Sequence, residues 1–333
     1  MALDTHTDRN TVVNPSGLAI PAFVFQSLAN RYPEINGGVY GYARAGFGNL
    51  IGYCSAIGYW VGAWIGNVAF LVLLGSALGT FFPSFAGGNT APAILVTSVV
   101  LWVVHFLVLR GVQEAAVVNV IVTIAKVVPL VTFLVVGAFA FKFDLLTADI
   151  WGTNTMVYGD GSTDLVPLGG TMSQIVAMML VTVWVFSGVE GASVFSQRAR
   201  RRSDVGRATV IGFLFVLALY VLINVMSYGI MSQTEVSGLA DPSLAGVFAA
   251  VVGPWGAKFI AIGLIISLLG VLLSWVLLST EILRVPATEG IMPRSIGKLN
   301  EHGTPTVALW ASNICARRSP WCSPFSRRAP TRS

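Results

Sequence analysis

The stretch TVWVFSGVEGASVFSQ, residues 182–197, places Glu190, two glycines and several serines within an apolar and aromatic run. More apolar residues lie upstream of it. Burying a polar group in apolar surroundings costs free energy unless a partner compensates it. Each polar residue of this stretch therefore requires a structural or functional reason.

The overall composition is typical of a protein that crosses a membrane several times. Of the 333 residues, 55% are hydrophobic and 11% are charged, and the mean hydropathy is +0.75. Soluble domains contain roughly 25% charged residues. Because helices satisfy their own backbone in lipid, an all-α polytopic membrane protein is predicted. The net charge of +5 does not predict nucleic-acid binding, since the basic residues collect between apolar runs. Three cysteines are too few for a disulfide framework.

Six apolar runs are long enough to cross a bilayer, which takes about 20 residues in a helix. Residues 17–30 are shorter and look like the last turns of a helix, and residues 304–314 look like the first turns of another. The predicted spans are, roughly, 50–82, 91–110, 113–141, 172–197, 206–231 and 254–283.

The two ends of the chain differ in composition from this apolar region. Residues 1–16 are polar and lack the apolar core of a cleavable signal peptide. Residues 313–333 are rich in Arg, Pro and Ser, so we expect them to be disordered and not to continue a membrane helix. The predicted organisation is a polar N-terminus (1–16), a membrane domain (17–312) and an arginine-rich tail (313–333).

The basic residues predict the orientation of the spans. If residues 31–49 face the cytoplasm and the spans alternate, only Lys142 and Lys258 lie on the opposite side between residues 31 and 305. Cytoplasmic loops carry an excess of Lys and Arg, so this orientation is predicted. The cytoplasmic set is Arg31, Arg44, Arg110, Arg198, Arg200, Arg201, Arg202, Arg207, Arg284, Arg294 and Lys298.

Several polar and aromatic side chains fall inside the predicted spans, where such groups are costly and usually face the bundle interior. Tyr59 and Asn67 are a little over two helical turns apart, so they lie on similar faces of one helix. An Asn in this setting is also commonly a packing hydrogen bond. Glu281 is expected to pair with Arg284 or to line an inner vestibule, and His105 is expected to be structural. The set is Tyr59, Asn67, His105, Asn119, Lys126, Trp184, Glu190, Asn224, Trp275 and Glu281.

Several blocks of the sequence resemble one transporter family. NRYPEINGGVYGYARAGFG (30–48) resembles the Pro-x-x-x-Gly-Gly-x-Tyr loop of the amino acid–polyamine–organocation (APC) transporters. Later blocks follow in the family's order, and the match, which runs from about residue 22 to 312, is most similar to the basic amino acid antiporters. These blocks are IGYWVGAWIGNVAFLVLLGSALGTFFP (57–83), VWVFSGVEGASVF (183–195), SWVLLSTEILRVPATEGIMP (274–293) and KLNEHGTP (298–305).

The resemblance implies a partial inverted-repeat fold that contains the end of helix 2, helices 3–8 and the start of helix 9. In that fold the first and sixth helices are broken at mid-membrane, and the unwound backbone binds substrate. Residues 187–191 (SGVEG) are where the sixth helix would break, because glycine has a poor helix propensity. The two glycines alone equally suit a helix-packing surface. The Gly-Ser-Gly type break of the first helix is not found before residue 40, so we expect truncation or a reading-frame error at both ends.

The resemblance also implies roles for particular residues. Trp184 and Trp275 would cover the substrate, since an arginine guanidinium stacks on an indole face. Glu190 would be a gating carboxylate, unless it is a satisfied structural one. Lys126 would replace a coupling cation, unless it pairs with an unidentified carboxylate. The implied substrate-binding residues are Asn67, Phe70, Trp184, Ser187, Gly188 and Trp275, and the implied gating or coupling residues are Tyr59, Lys126 and Glu190.

The implied function is exchange of arginine and ornithine across the cell membrane by alternating access. Such an antiporter performs no covalent chemistry and needs no cofactor, and the sequence has no HExxH or GxSxG motif of an enzyme. Its partners would be a cationic amino acid and the lipid bilayer, with a homodimer implied for the full-length family. Two alternatives stay open: a proton-coupled permease for lysine or a neutral amino acid, and a membrane fragment without transport of its own.

Overall fold

The computed structural model describes most of the chain as two compact units. Described residues up to 32 and from 127 to 261 form one unit, and described residues 35–126 and 262–322 form the second. Segment 1–16 and the tail beyond residue 322 lie outside the description. The described residues are 37–111, 116–159, 164–185 and 202–322, together with 24, 27, 28, 31, 32, 35 and 188.

Helices dominate the described residues, and two short strands, β1 (Met156–Tyr158) and β2 (Leu165–Pro167), form an antiparallel pair between two of them. In chain order the helices are α1 (Val39–Phe47), α2 (Asn49–Gly79), α3 (Ala91–Leu109), α4 (Ala116–Ala140), α5 (Phe143–Thr147), α6 (Thr171–Val185), α7 (Arg202–Ile230), α8 (Gln233–Ser237), α9 (Ser243–Val252), α10 (Pro254–Thr288) and α11 (Thr306–Cys322).

Five of the described helices are long and apolar enough to cross a membrane, and they confirm five of the six predicted spans. They are Asn49–Gly79, Ala91–Leu109, Val120–Ala140, Val210–Ile230 and Pro254–Thr288. The remaining predicted span, 172–197, begins as α6, which ends at Val185, and most of its second half lies outside the described residues.

Local sequence explains where these helices begin. Gly48 precedes α2 with a φ of 86°, a left-handed conformation that glycine adopts without steric cost. Thr90 precedes α3, and its hydroxyl accepts a hydrogen bond of 3.4 Å from the Ala93 backbone N–H. Pro254 opens α10, where the missing backbone N–H of proline costs no intrahelical hydrogen bond.

The core of the second unit lies where four helices meet. Leu71 of α2 and Leu101 of α3 pack with Leu272 of α10 and Leu309 of α11 in one buried cluster. Burying an aliphatic side chain of this size stabilises a protein by about 1.5–3 kcal/mol. This cluster therefore holds together the helices that carry the polar residues discussed below.

The loop between α2 and α3 closes onto α2 through glycine. A Cβ built on Gly88 would lie 2.0 Å from the Val72 carbonyl oxygen, and its φ of 69° is left-handed. Only a residue without a side chain permits this approach.

The prediction that the chain leaves the helical region before residue 313 is wrong for residues 313–322. Helix α11 continues through Asn313 and Ala316 to Cys322. Asn313 is fully buried and lies 2.9 Å from the His105 ring, and Ala316 packs in the core cluster. These buried contacts outweigh the polar composition of the segment, which was the basis of the prediction.

The loop before α11 completes the C-terminal end of α3. The Asn300 side-chain N–H donates 2.9 Å to the Leu109 carbonyl, and the Thr304 hydroxyl donates 2.9 Å to the Val108 carbonyl. The last carbonyls of a helix lack intrahelical donors, and the Asn300 side chain supplies the bond to the Leu109 carbonyl. Thr304 adds a second donor to the Val108 carbonyl, which already accepts from the Gly111 backbone N–H. The Asn300 side-chain oxygen also accepts from the backbone N–H groups of His302 and Thr304. The block 298–305 therefore has a structural role.

Two contacts in the first unit join residues that are far apart in sequence. Phe133 of α4 packs against Phe248 of α9, with ring centroids 5.9 Å apart. The Thr234 hydroxyl donates 2.6 Å to the Met156 carbonyl, so α8 is fixed to β1. The small hairpin falls between predicted spans and leaves the all-α fold class intact.

We expect Asn300→Ala to lower the free energy of unfolding by about 1–3 kcal/mol, because it leaves carbonyl and N–H groups without partners. The measurement is thermal unfolding in detergent. Lys298→Ala is the control, since Lys298 lies in the same loop and is exposed. Equal effects of the two substitutions would contradict a capping role for Asn300.

Candidate functional site

One face of α2 carries three of the predicted site residues. Tyr59, Ala63, Asn67 and Phe70 follow one another at intervals of three or four residues, the spacing that places side chains on one side of a helix. Ala63 and Asn67 are buried, and Tyr59 and Phe70 are partly buried. The sequence-based prediction that Tyr59 and Asn67 share a face is therefore confirmed.

Asn67 is the unusual residue of this face. Its side chain is 0% exposed, and among the described residues neither its amide nitrogen nor its amide oxygen has a hydrogen-bond partner. The indole N–H of Trp64, one turn earlier, is likewise buried without an acceptor in the described part of the chain. A buried polar group left unpaired costs about 1–3 kcal/mol, and such a cost is commonly found at functional sites.

Trp275 of α10 completes this region. Its ring lies 6.0 Å from the Phe70 ring, centroid to centroid, at an interplanar angle of 57°. Trp275 and Tyr59 both pack against a buried cluster of Ala63, Leu278 and Ile282. The structure therefore brings Tyr59, Phe70 and Trp275 together between α2 and α10. Asn67 lies between Ala63 and Phe70 along the same helix face.

The SGVEG motif is only partly described. Helix α6 ends at Val185, and Gly188 has a φ of 112°, which no α-helical residue adopts. The chain therefore does not continue as an α-helix through Gly188. Trp184 lies in the last turn of α6, but its side chain is outside the described residues, as are Ser187 and Glu190.

Lys126 is not grouped with the other predicted site residues. It lies on α4, its side chain is exposed, and it forms no hydrogen bond or ion pair with any described residue. One turn earlier, α4 lies very close to α10, since a Cβ on Gly270 would be 2.4 Å from a Val122 methyl group. No carboxylate partner for Lys126 is present in the described ranges, so its role stays a prediction.

Two expectations for structural polar residues are met. The Glu281 carboxylate accepts a hydrogen bond of 2.8 Å from the Arg284 guanidinium, as one of the two alternatives for Glu281 predicted. The His105 ring is fully buried, bonds to Asn313 and stacks edge-on against Trp310 at 4.3 Å. His105 thus packs and bonds against α11, while its other ring nitrogen, Nε2, is buried without a hydrogen-bond partner among the described residues.

Sequence reasoning missed a polar cluster near the predicted cytoplasmic ends of the helices. The Tyr40 hydroxyl donates 2.6 Å to the Glu289 carboxylate, which also pairs with the Arg44 guanidinium. Burial, together with the Glu289 carboxylate, raises the pKa of Tyr40 to about 12, so its hydroxyl is protonated at neutral pH. Tyr40 and Glu289 lie in two of the quoted motif blocks, and their separation in sequence hid the contact.

Comparison with known proteins agrees with this architecture. A profile described as amino acid permease matches residues 16–317. The chain belongs to the amino acid permease family. This match and the five apolar helices establish a multi-pass protein of the cell membrane. The resemblance predicted from the sequence blocks is confirmed.

Three relatives are similar to this chain over most of its length. An arginine/ornithine antiporter of Pseudomonas aeruginosa is 55% identical over 301 residues, which are 90% of this chain and 60% of the relative. A putative arginine/ornithine antiporter of Escherichia coli is 41% identical over 92% of this chain and 65% of the relative. An L-lysine transport protein of Corynebacterium glutamicum is 42% identical over 90% of this chain and 58% of the relative. The chain thus spans about 60% of the length of these relatives.

We expect Asn67→Leu to raise the free energy of unfolding by about 1–3 kcal/mol, because it removes a buried amide that has no partner and keeps a similar volume. Thermal unfolding in detergent without added ligand measures this. Asn224→Leu is the matched control, because the Asn224 amide donates 2.8 Å to the Tyr220 carbonyl of its own helix. A destabilised Asn67→Leu variant would show that the Asn67 amide is satisfied in the unliganded protein.

Proposed function

We propose that this chain is the substrate-carrying part of an antiporter that exchanges cationic amino acids, arginine against ornithine, across the cell membrane. The observation that carries the proposal is the unpaired, buried amide of Asn67 beside the Phe70–Trp275 ring pair. Two relatives are themselves described as arginine/ornithine antiporters, one of them as putative, which supports the choice of substrate. Transport would proceed by alternating access, without covalent chemistry and without a cofactor.

The chemistry of these side chains suits a cationic amino acid. A guanidinium or ammonium group over an indole face gains about 0.5–2 kcal/mol, with the larger value when water is excluded. Trp275 is partly buried against Phe70, so part of its surface is already dry. The Asn67 amide has one acceptor and two donor positions to offer the substrate, and using them removes the cost of its burial.

The resemblance to the family implies that the broken helix contributes further contacts with the substrate. Gly188 departs from helical geometry, and irregular backbone at membrane depth is tolerated where it lines a cavity or is buried in protein. We assign Ser187 and Gly188 to backbone contacts with the substrate and Trp184 to its cover. Glu190 would act with Tyr59 as a gate below the site, and Lys126 would couple the exchange cycle.

The proposed function implies a small set of partners. We propose a cationic amino acid and the lipid bilayer as its partners, and a homodimer for the complete transporter; no nucleic acid is proposed. A second candidate, a proton-coupled permease for lysine, is favoured by the similarity to the L-lysine transport protein.

Counterflow in liposomes separates these functions. The purified chain is reconstituted with internal ornithine, and uptake of labelled arginine is followed. Exchange predicts uptake that depends on internal ornithine and not on a proton gradient. Uptake driven by an inward proton gradient, with lysine preferred, would favour the permease. A chain that inserts into the liposomes and supports neither uptake has no transport activity of its own.

Trp275→Leu should weaken arginine binding by about two- to thirtyfold, because only the cation loses its contact with the indole face. Binding of a neutral amino acid, measured by equilibrium dialysis on the same preparation, should change much less. Trp310→Leu serves as the control, since Trp310 packs on His105 and not on Phe70. Equal losses for the cationic and neutral ligands would assign Trp275 to packing alone.

A further inference from the structure

Arg44 connects three helices of the second unit. It lies in α1, and its guanidinium Nε donates 2.9 Å to the Asn49 side-chain oxygen at the start of α2. Its Nη1 pairs with the Glu289 carboxylate immediately after α10 and lies 3.5 Å from the Tyr40 hydroxyl. A single side chain therefore contacts the ends of α2 and α10 at the same time.

The stem of Arg44 is also fixed in place. A Cβ built on Gly52 of α2 would lie 2.7 Å from the Arg44 Cβ, so α1 folds directly against the first turn of α2. The left-handed Gly48 between the two helices permits this reversal. The backbone and aliphatic stem of Arg44, in α1, therefore pack against α2, and its guanidinium extends to Glu289.

The α10 side of this contact is equally well defined. Tyr40 is 3% exposed and packs with Val285 and Met292 around the end of α10, where its hydroxyl donates to Glu289. Gly37 packs so closely on this end that a Cβ there would lie 2.9 Å from a Val285 methyl group. The Glu289 carboxylate is thus bound by two donors from α1, one neutral and one charged.

The two helices that meet at Arg44 are the two walls of the proposed substrate site. Phe70 lies about 31 Å along α2 from Asn49, and Trp275 lies about 20 Å along α10 from its end, at a rise of about 1.5 Å per residue. Because Phe70 and Trp275 lie on the same two helices, we expect a change in helix spacing at this end to alter their spacing.

We propose that Arg44 is a positioning residue of the substrate site, which sets the spacing of α2 and α10 by bridging Asn49 and Glu289. This inference rests on the proposed function, since it treats the Phe70–Trp275 region as the site. Arginine is required because its planar guanidinium presents several donors in fixed directions, whereas the ammonium group of lysine is a compact point charge. Lysine at this position retains the charge opposite Glu289 and loses the simultaneous bond to Asn49.

The test combines two measurements on the complete 333-residue chain in detergent. Hydrogen–deuterium exchange reports on residues 39–52 and 283–292, and equilibrium dialysis gives the dissociation constant for arginine. The variants are Arg44→Lys, Asn49→Ala and Glu289→Gln. Arg294→Met is the control, because Arg294 is an exposed cation of the same region that forms no ion pair among the described residues.

A bridge through Arg44 makes a specific prediction for Asn49→Ala. Asn49 bonds to Arg44, so loosening at residues 283–292 in this variant reflects transmission through Arg44. We expect each of the three variants to increase exchange at residues 283–292 by about two- to fivefold, the range for an exposed ion pair. We expect the arginine dissociation constant to rise by a similar factor, while the control matches the parent.

Other outcomes overturn the inference in distinct ways. An Arg44→Lys variant equal to the parent in both measurements shows that only charge matters and that there is no bridge. Increased hydrogen–deuterium exchange with an unchanged arginine dissociation constant shows that Arg44 makes a structural contact and does not position the site. A parent chain that binds no arginine contradicts the proposed function itself, and the exchange of the Asn49→Ala variant then still decides whether the bridge exists.

Discussion

The cost of burying an amide without a partner is the constraint on which the rest of this structure depends. Asn67 lies at the centre of α2, fully buried, and neither polar atom of its side chain is satisfied by a described residue. An unpaired buried amide lowers stability by about 1–3 kcal/mol. A bound substrate that pairs with the Asn67 amide would remove this cost. The apolar cluster around Leu71 and Leu272 stabilises the same helices and so compensates for this cost.

The ends of the helices are held by polar side chains from sequence-distant loops. Asn300 and Thr304 complete the end of α3, and Arg44 and Tyr40 bind the end of α10 through Glu289. Arg44, Tyr40, Glu289 and Asn300 lie in segments predicted to be cytoplasmic, where water and charge are compatible with the hydrogen bonds. The apolar parts of the helices pack by shape, and the polar contacts at their ends fix how the helices are arranged.

Hydropathy predicted the long helices, because apolar runs are visible in the local sequence. The resemblance assigned Phe70 and Trp275 to one substrate site, and the structure places their rings 6.0 Å apart. It also placed a break at SGVEG, and the φ of Gly188 agrees. The continuation of α11 past Asn313 was not predicted, since its composition is polar and its stability comes from buried contacts with α3. The bond between Tyr40 and Glu289 joins residues 249 positions apart, and no local pattern encodes such a contact.

Arginine and citrulline distinguish a site for a cation from a site for a neutral side chain, because citrulline has the same side-chain length and an uncharged ureido group in place of the guanidinium. Isothermal titration of both ligands into the detergent-solubilised chain gives their affinities. If Asn67 and Trp275 form a site for a cationic amino acid, arginine binds tighter by about two- to thirtyfold, the contribution of a cation over an indole face. Equal affinities for the two ligands would contradict the account.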